Sequence, residues 1–141
     1  MKVREARTDD ELAAALELRE RVFYGEQGVS IDADRDGRDH EATHLVAVED
    51  GRVIGTCRLL FRGRVARLGR LAVEPEERGR GVAGEILRAA DRAARERRAD
   101  TISLHAQTYA KSLYERAGYA ARGKTFVEEG IEHVAMEKHL A

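Results

Sequence analysis

The residues best suited to chemistry lie in the run Arg70-Leu71-Ala72-Val73-Glu74-Pro75-Glu76-Glu77-Arg78-Gly79-Arg80-Gly81-Val82-Ala83-Gly84. Its first four residues read as the end of a strand, and Val82 onward reads as the start of a helix. The glycines and arginines between them must therefore form a turn. Glycines at 79, 81 and 84 let the backbone approach a ligand closely, and the first amides of a helix have no intrahelical partner. Those amides and the helix dipole favour an anion, and Arg78 and Arg80 add positive charge. Pyrophosphate is the group such a turn suits. No Gly-Lys-Ser/Thr follows, so it is not a Walker loop, and the spacing and parallel setting of a dinucleotide fingerprint are missing. Taken alone, the run reads equally well as a tight turn with solvated arginines.

The elements that must hold this turn are legible in outline. Residues 2–6 alternate as a short strand. Thr8-Asp9-Asp10-Glu11 reads as a capping box opening a helix over 9–23, with Leu12, Ala15, Leu16, Arg19 and Phe23 at helical spacing. Leu45 to Val48 is a compact strand, and Asp50-Gly51 is a two-residue hairpin signal leading into a strand over 53–61. Arg62-Gly63-Arg64 turns again into a strand over 65–73, which makes an antiparallel meander. Beyond the glycine turn, Val82, Ile86, Ala89, Ala90, Ala93 and Ala94 predict a long amphipathic helix to about residue 98. A strand over 100–105 follows. Thr108 is placed to cap a helix bearing Ala110, Leu113, Tyr114 and Ala117, which Gly118 ends. Two strands joined at Glu129-Gly130 complete the chain. The order β-α-β-β-β-α-β-α-β-β predicts an α/β fold with a mixed, largely antiparallel sheet flanked by helices, not a doubly wound Rossmann fold.

Composition narrows the function classes. A chain of 141 residues fits one domain spanning 1–141, and no apolar run is long enough for a membrane span or a secretory leader. The 25 basic and 26 acidic residues nearly cancel, which argues against a surface built for nucleic acid. The single cysteine, Cys57, excludes an internal disulfide and a cysteine-based zinc site. It sits inside a predicted strand and reads as a buried small hydrophobe rather than a nucleophile. A reducing cytoplasm is the expected compartment. Charge is uneven along the chain: residues 26–50 carry a net −6 and residues 52–98 a net +7. The first stretch suits a cationic partner and the second an anionic one. Asp32-Ala33-Asp34-Arg35-Asp36-Gly37 matches the first half of a calcium loop, but Thr43 stands where a bidentate Glu is needed, and no metal is expected.

Arg78-Gly79-Arg80-Gly81-Val82-Ala83 resembles the Arg/Gln-x-x-Gly-x-Gly/Ala signature of the GNAT N-acetyltransferase superfamily. Gln107-Thr108-Tyr109-Ala110-Lys111-Ser112-Leu113-Tyr114-Glu115-Arg116-Ala117-Gly118-Tyr119 is similar to its second signature, with Gln107 in place of Asn and Tyr119 in place of Phe. The runs Phe23 to Val29, Ala42 to Ala47, Gly55 to Leu60 and Gly130 to Met136 resemble the ElaA-like branch of that superfamily. The resemblance implies an acyltransferase using acetyl-CoA, or another acyl-CoA, as co-substrate. It implies that Leu71, Ala72 and Val73 offer backbone groups to the pantetheine arm. Arg78, Gly79, Arg80, Gly81, Val82, Ala83 and Gly84 would cradle the pyrophosphate, and Gln107 would contact the cofactor. Tyr114 would stand over the sulfur as general acid, its phenol pKa of about 10 lying near a thiol's value of about 8.5.

Transfer to an amine raises a protonation problem. An amine of pKa about 10.4 is neutral once in ~2,500 molecules at pH 7, a cost of roughly 4.6 kcal/mol. Glu26, His44, His105 and His133 could each act as base, and Glu26 and His133 rank first because they lie in the matched runs. Phe23, Glu26, Gln27, Arg70 and His105 are assigned to the acceptor side. The acidic stretch predicts a cationic or amine-bearing acceptor, either a small molecule or a peptide. The expected reaction is direct attack of a primary amine on the thioester in a ternary complex. The alternatives are an enzyme like the acyl-homoserine-lactone synthases taking acyl groups from a carrier protein, or a non-catalytic acyl-CoA-binding module. No nucleic acid or membrane partner is expected, and oligomeric state is left open, a homodimer included.

Overall fold

The computed structural model describes residues 1–29 and 35–140. Seven strands form one sheet: β1 (Lys2–Glu5), β2 (Thr43–Glu49), β3 (Arg52–Arg62), β4 (Val65–Val73), β5 (Thr101–Gln107), β6 (Ala120–Glu128) and β7 (Ile131–His139). Their spatial order is β1-β2-β3-β4-β5-β7-β6, and every neighbouring pair is antiparallel except β4 and β5. Two hairpins rest on adjacent residues with positive φ, Asp50-Gly51 (52° and 75°) and Glu129-Gly130 (52° and 72°). That pattern matches the twist of paired strands.

Among the described residues three α-helices flank the sheet: α1 (Asp9–Arg19), α2 (Val82–Glu96) and α3 (Lys111–Arg116). Thr8 caps α1, its hydroxyl accepting from the Glu11 amide at 3.1 Å. Glu11 reaches back to the Arg7 amide rather than to Thr8, and also grips Arg4 at 2.8 and 2.7 Å. The helix expected over 9–23 is α-helical only to Arg19. Residues Glu20–Glu26 widen into a π-helix, a conformation found mostly as short segments at functional sites. The cap expected at Thr108 is not made. Residues Thr108–Ala110 form a 3₁₀ turn, Ala110 is the N-cap of α3, and the Thr108 hydroxyl donates instead to Glu132 at 3.0 Å. Among the described residues no helix is long and apolar enough to cross a membrane.

Helix α2 buries Val82, Ile86, Leu87, Ala89, Ala90 and Ala94 against one face of the sheet. Its small residues allow a close approach, and at Gly55 of β3 an added Cβ would come within 2.7 Å of Ile86 Cδ1. Any larger residue there would have to displace the Ile86 and Val82 side chains, so the start of α2 lies close on β3. Helix α1 covers the opposite face over β2, β3 and β4, where Leu18 and Val22 pack with Ala72.

Arginine, not hydrocarbon, completes that second layer. Arg19 of α1 is 1% exposed and pairs with Asp39 at 2.8 Å. Arg58 of β3 is 4% exposed and pairs with Asp39 at 3.0 Å and Asp36 at 2.6 Å, while Arg70 reaches Asp36 at 3.3 Å. These contacts bind the segment before β2 to the sheet. They also alter the reading of the acidic stretch: Asp36, Asp39, Glu41 and Glu49 are each held by arginine. Ser30 to Asp34, with the first positions of the calcium-like loop, lie outside the described residues.

Asp39 is the carboxylate that the buried Arg19 and Arg58 share, so Asp39→Ala should cost about 3 kcal/mol in a urea titration at neutral pH. Burial pushes the Asp39 carboxyl up, but Arg19 and Arg58 outweigh it, and Arg58 holds Asp36 well below the usual range. Folded-state values below the unfolded ones mean this stabilisation is complete above about pH 5 and is lost as pH falls through the folded values. Asp36→Asn should therefore flatten the acid limb of the stability curve. Cys57 is 1% exposed and burial pushes its thiol up to about 12. A thiol reagent should leave the native chain unmodified and label it only once guanidinium unfolds it.

Candidate active site

Strands β4 and β5 are paired only from Val65↔Thr101 to Arg67↔Ser103. Beyond that point they part. A bulge in β4 accompanies the parting: Thr56 faces Ala72 and Arg58 faces Gly69, so β4 carries one extra residue, with Arg70 at φ 57°. A bulge bends its strand and increases its twist. The margins of β4 and β5 are left with backbone groups that no strand satisfies across the gap, and a cleft of about 870 Å³ opens there.

The glycine turn lies at one end of this cleft. Gly79 and Gly81 both have φ 81°, and a Cβ at either would meet nothing within 4 Å. Gly81 is the N-cap of α2 and offers no side chain, so the first amides of the helix stay open to an outside acceptor. Phe23, Leu71, Ala72, Val73, Val82, Ala83 and Gly84 also line the cleft. Arg80 is the exception among the residues assigned to the turn. Its guanidinium is drawn to Glu77 at 2.9 Å and Glu49 at 3.0 Å, and it does not line the cleft. Arg78 does line it, donating to the Val73 carbonyl at 3.2 Å and gripping Glu26 at 2.6 and 3.0 Å. Both arginines are thus balanced by carboxylates, and the draw on an anion falls mainly on the amides.

Glu26 and Gln27, from the end of the π-helix and the residue after it, stretch over the cleft. Gln27 donates to the Tyr109 hydroxyl at 3.1 Å and accepts from Gln107 at 2.8 Å, while Glu26 holds Arg78. The wide π turns carry Phe23 and Glu26 to the cleft wall. The Arg78 guanidinium keeps the Glu26 carboxyl below its usual range, which makes Glu26 a poor base.

Tyr114 of α3 lines the cleft floor and is 9% exposed. Its ring meets Tyr119 edge to face at 6.0 Å. Burial raises its phenol well above the ordinary value. The hydroxyl therefore stays protonated and acts first as a hydrogen-bond donor, a stronger commitment to the neutral form than an unperturbed phenol would make. His133 of β7 is 7% exposed, and its Nδ1 lies 2.7 Å from the Ile131 carbonyl. A donor at Nδ1 leaves the lone pair on Nε2, on a residue that lines the cleft. His105 and Arg70 line it too. His44 does not; its Nε2 is bonded to the Asp39 carbonyl at 2.8 Å.

Reading the sequence missed Arg67, Tyr109, Phe126 and Glu128. A signal for two of them existed. Phe126 and Glu128 alternate along β6 one two-residue turn before His133, so strand pairing had to bring them together.

Comparisons with known proteins agree with this geometry. Residues 6–140 match the acetyltransferase (GNAT) domain family. The chain is 32% identical over 139 residues to the uncharacterized N-acetyltransferase YjcF of Bacillus subtilis, covering 98% of this chain and 99% of that one. The crystal structure of an acyl-CoA N-acyltransferase from Pseudomonas aeruginosa is 28% identical, with a TM-score of 0.86 over 98% of this chain and 99% of that one. Escherichia coli ElaA shares the fold at 21% identity, with a TM-score of 0.87 over 98% and 99% of the two chains. These similarities extend over nearly the whole length of each chain, and the chain belongs to the GNAT acetyltransferase family.

Proposed function

We propose that the cleft binds acetyl-CoA and that the enzyme transfers the acetyl group to a primary amine by direct attack within a ternary complex. The observation that carries this reading is the parting of β4 from β5 beside a turn of uncapped amides. An extended arm bearing amides can add to the free margin of β4 at residues 71–73 as a further strand would. Its pyrophosphate then reaches the amides of residues 79–84, where backbone donors and the helix dipole favour it. The open space at Gly79 and Gly81 fits that approach. The similar Pseudomonas aeruginosa protein is an acyl-CoA N-acyltransferase, which supports the same donor class here.

The chain's own residues then divide the work. The amine nitrogen attacks the thioester carbon, a C–N bond forms and the C–S bond breaks. His133 Nε2 takes the proton the nitrogen sheds, with its tautomer held by the Ile131 carbonyl. The Tyr114 hydroxyl donates a hydrogen bond to the sulfur as negative charge develops on it, passes its proton to the sulfur as the C–S bond breaks so that a thiol leaves, and is reprotonated from water. Glu26 is less suited to the base's role because Arg78 holds it ionised.

Calorimetric titration with acetyl-CoA tests the donor. Micromolar binding is expected, and Gly81→Glu should abolish it by placing a side chain and a negative charge on a left-handed backbone position. No binding to the unaltered chain would overturn the reading. Tyr114→Phe and His133→Gln should each lower kcat by ~10²-fold while leaving acetyl-CoA binding within a few fold. Unchanged turnover in the tyrosine variant would remove Tyr114 from the chemistry, and intact acetyl-CoA binding without turnover of any amine would instead favour a binding module.

A further inference from the structure

Five carboxylates line the cleft among the described residues: Glu26, Asp36, Glu77, Glu128 and Glu129. Three of them are held by arginines, Glu26 by Arg78, Asp36 by Arg58 and Glu77 by Arg80. The remaining two sit at the end of β6 and its turn into β7, away from the acidic stretch that the linear sequence marks for a cation. Glu128 is moreover placed by a chain of contacts. Arg67 Nη2 lies 2.9 Å from His105 Nε2, and His105 Nδ1 lies 3.2 Å from Glu128 Oε1. The same Arg67 Nη2 lies 3.1 Å from Nδ1 as well, against both ring nitrogens, and because a carboxylate oxygen only accepts, Nδ1 carries the hydrogen that Glu128 receives.

The other carboxylate oxygen, Oε2, faces His133 Nε2 at 3.8 Å. With Nδ1–H of His133 directed at the Ile131 carbonyl, Nε2 of the neutral imidazole presents a lone pair. Two acceptors therefore face each other with no hydrogen between them, too far apart to bond and close enough for one nitrogen to reach both. Phe126 walls this spot: its ring stacks on His133 at 6.0 Å and meets His105 edge to face at 4.9 Å. The group that fits is a cationic donor on an aliphatic stem.

Resting on the acetyltransferase reading above, we propose that Glu128 and His133 together form the acceptor's ammonium site, and that the acceptor is a primary alkylamine with no anionic group beside its nitrogen. Glu129, which also lines the cleft and has no arginine partner among the described residues, disfavours a neighbouring carboxylate. His105 is a positioning residue, holding Glu128 with Arg67 behind it. The ammonium docks between Glu128 Oε2 and His133 Nε2, and the same histidine nitrogen is then in place to receive the proton.

Pentylamine and norleucine, which differ by one carboxylate beside the nitrogen, are suitable probes. Binding is read from the imidazole NMR resonances of His105 and His133 in CoA-saturated protein, and independently as the KM for acetylation. Pentylamine should shift both imidazoles and bind at least ~10-fold more tightly than norleucine. Glu128→Gln should weaken pentylamine binding and raise its KM by ~10-fold or more, with acetyl-CoA affinity unchanged, and Glu128→Asp should recover part of the loss. Equal binding of the two probes, or pentylamine binding indifferent to Glu128→Gln, would overturn the site. Acetyl-CoA titration is separate from both results, so failure of the donor reading and failure of the acceptor site are told apart.

Discussion

Strands β4 and β5 stay together for three residue pairs and then separate, and the rest of the molecule is arranged around that separation. A parallel pair that parts inside a sheet exposes donors and acceptors that water or a ligand must satisfy. The fold tolerates this because each strand is secured on its other side, β4 by the long meander with β3 and β5 by seven pairs with β7. The opening is therefore a gap between two stable half-sheets rather than a frayed edge. Helix α2 sits against one half at Gly55 and delivers its N-terminus to the gap. Helix α3, joined directly to β5 through a 3₁₀ turn, delivers Tyr114 from the other.

Local signals made the elements legible. Both positive-φ hairpins carry glycine at the second left-handed position, and Asp50-Gly51 has the favoured aspartate before it. The apolar spacing of α2 and the glycines before it read directly as a helix with an open N-terminus. What stayed hidden was non-local. Charge counted along the chain marked residues 26–50 as an anionic surface, yet Asp39 finds Arg19 across 20 positions, Asp36 finds Arg58 across 22 and Glu26 finds Arg78 across 52. A sum over a segment cannot register partners that only folding supplies. The π-helix over Glu20–Glu26 was missed for a related reason, since its residues satisfy an α-helical pattern and no local breaker precedes Gly25.

The cleft combines two electrostatic styles. Around the glycine turn and the buried arginine layer, opposite charges are matched side chain to side chain, which fixes geometry and leaves little net field. At the β6–β7 end, Glu128 is held through one oxygen by His105 at 3.2 Å rather than through both by an arginine. A carboxylate held through one oxygen keeps the other for a cation, whereas one in a bidentate arginine grip has both engaged.

The bulge at Arg70 carries a tension between backbone and side chain. Its φ of 57° suits glycine, and a non-glycine residue there costs of order 1 kcal/mol or more. A glycine would adopt the bend freely but would take away one of the two arginines on Asp36. The residue that best shapes the strand is thus not the residue that best anchors the loop beside it. Position 70 settles in favour of the anchor, and any sequence drift there must move along a narrow path on which comfort for the chain and grip on its neighbour cannot both improve.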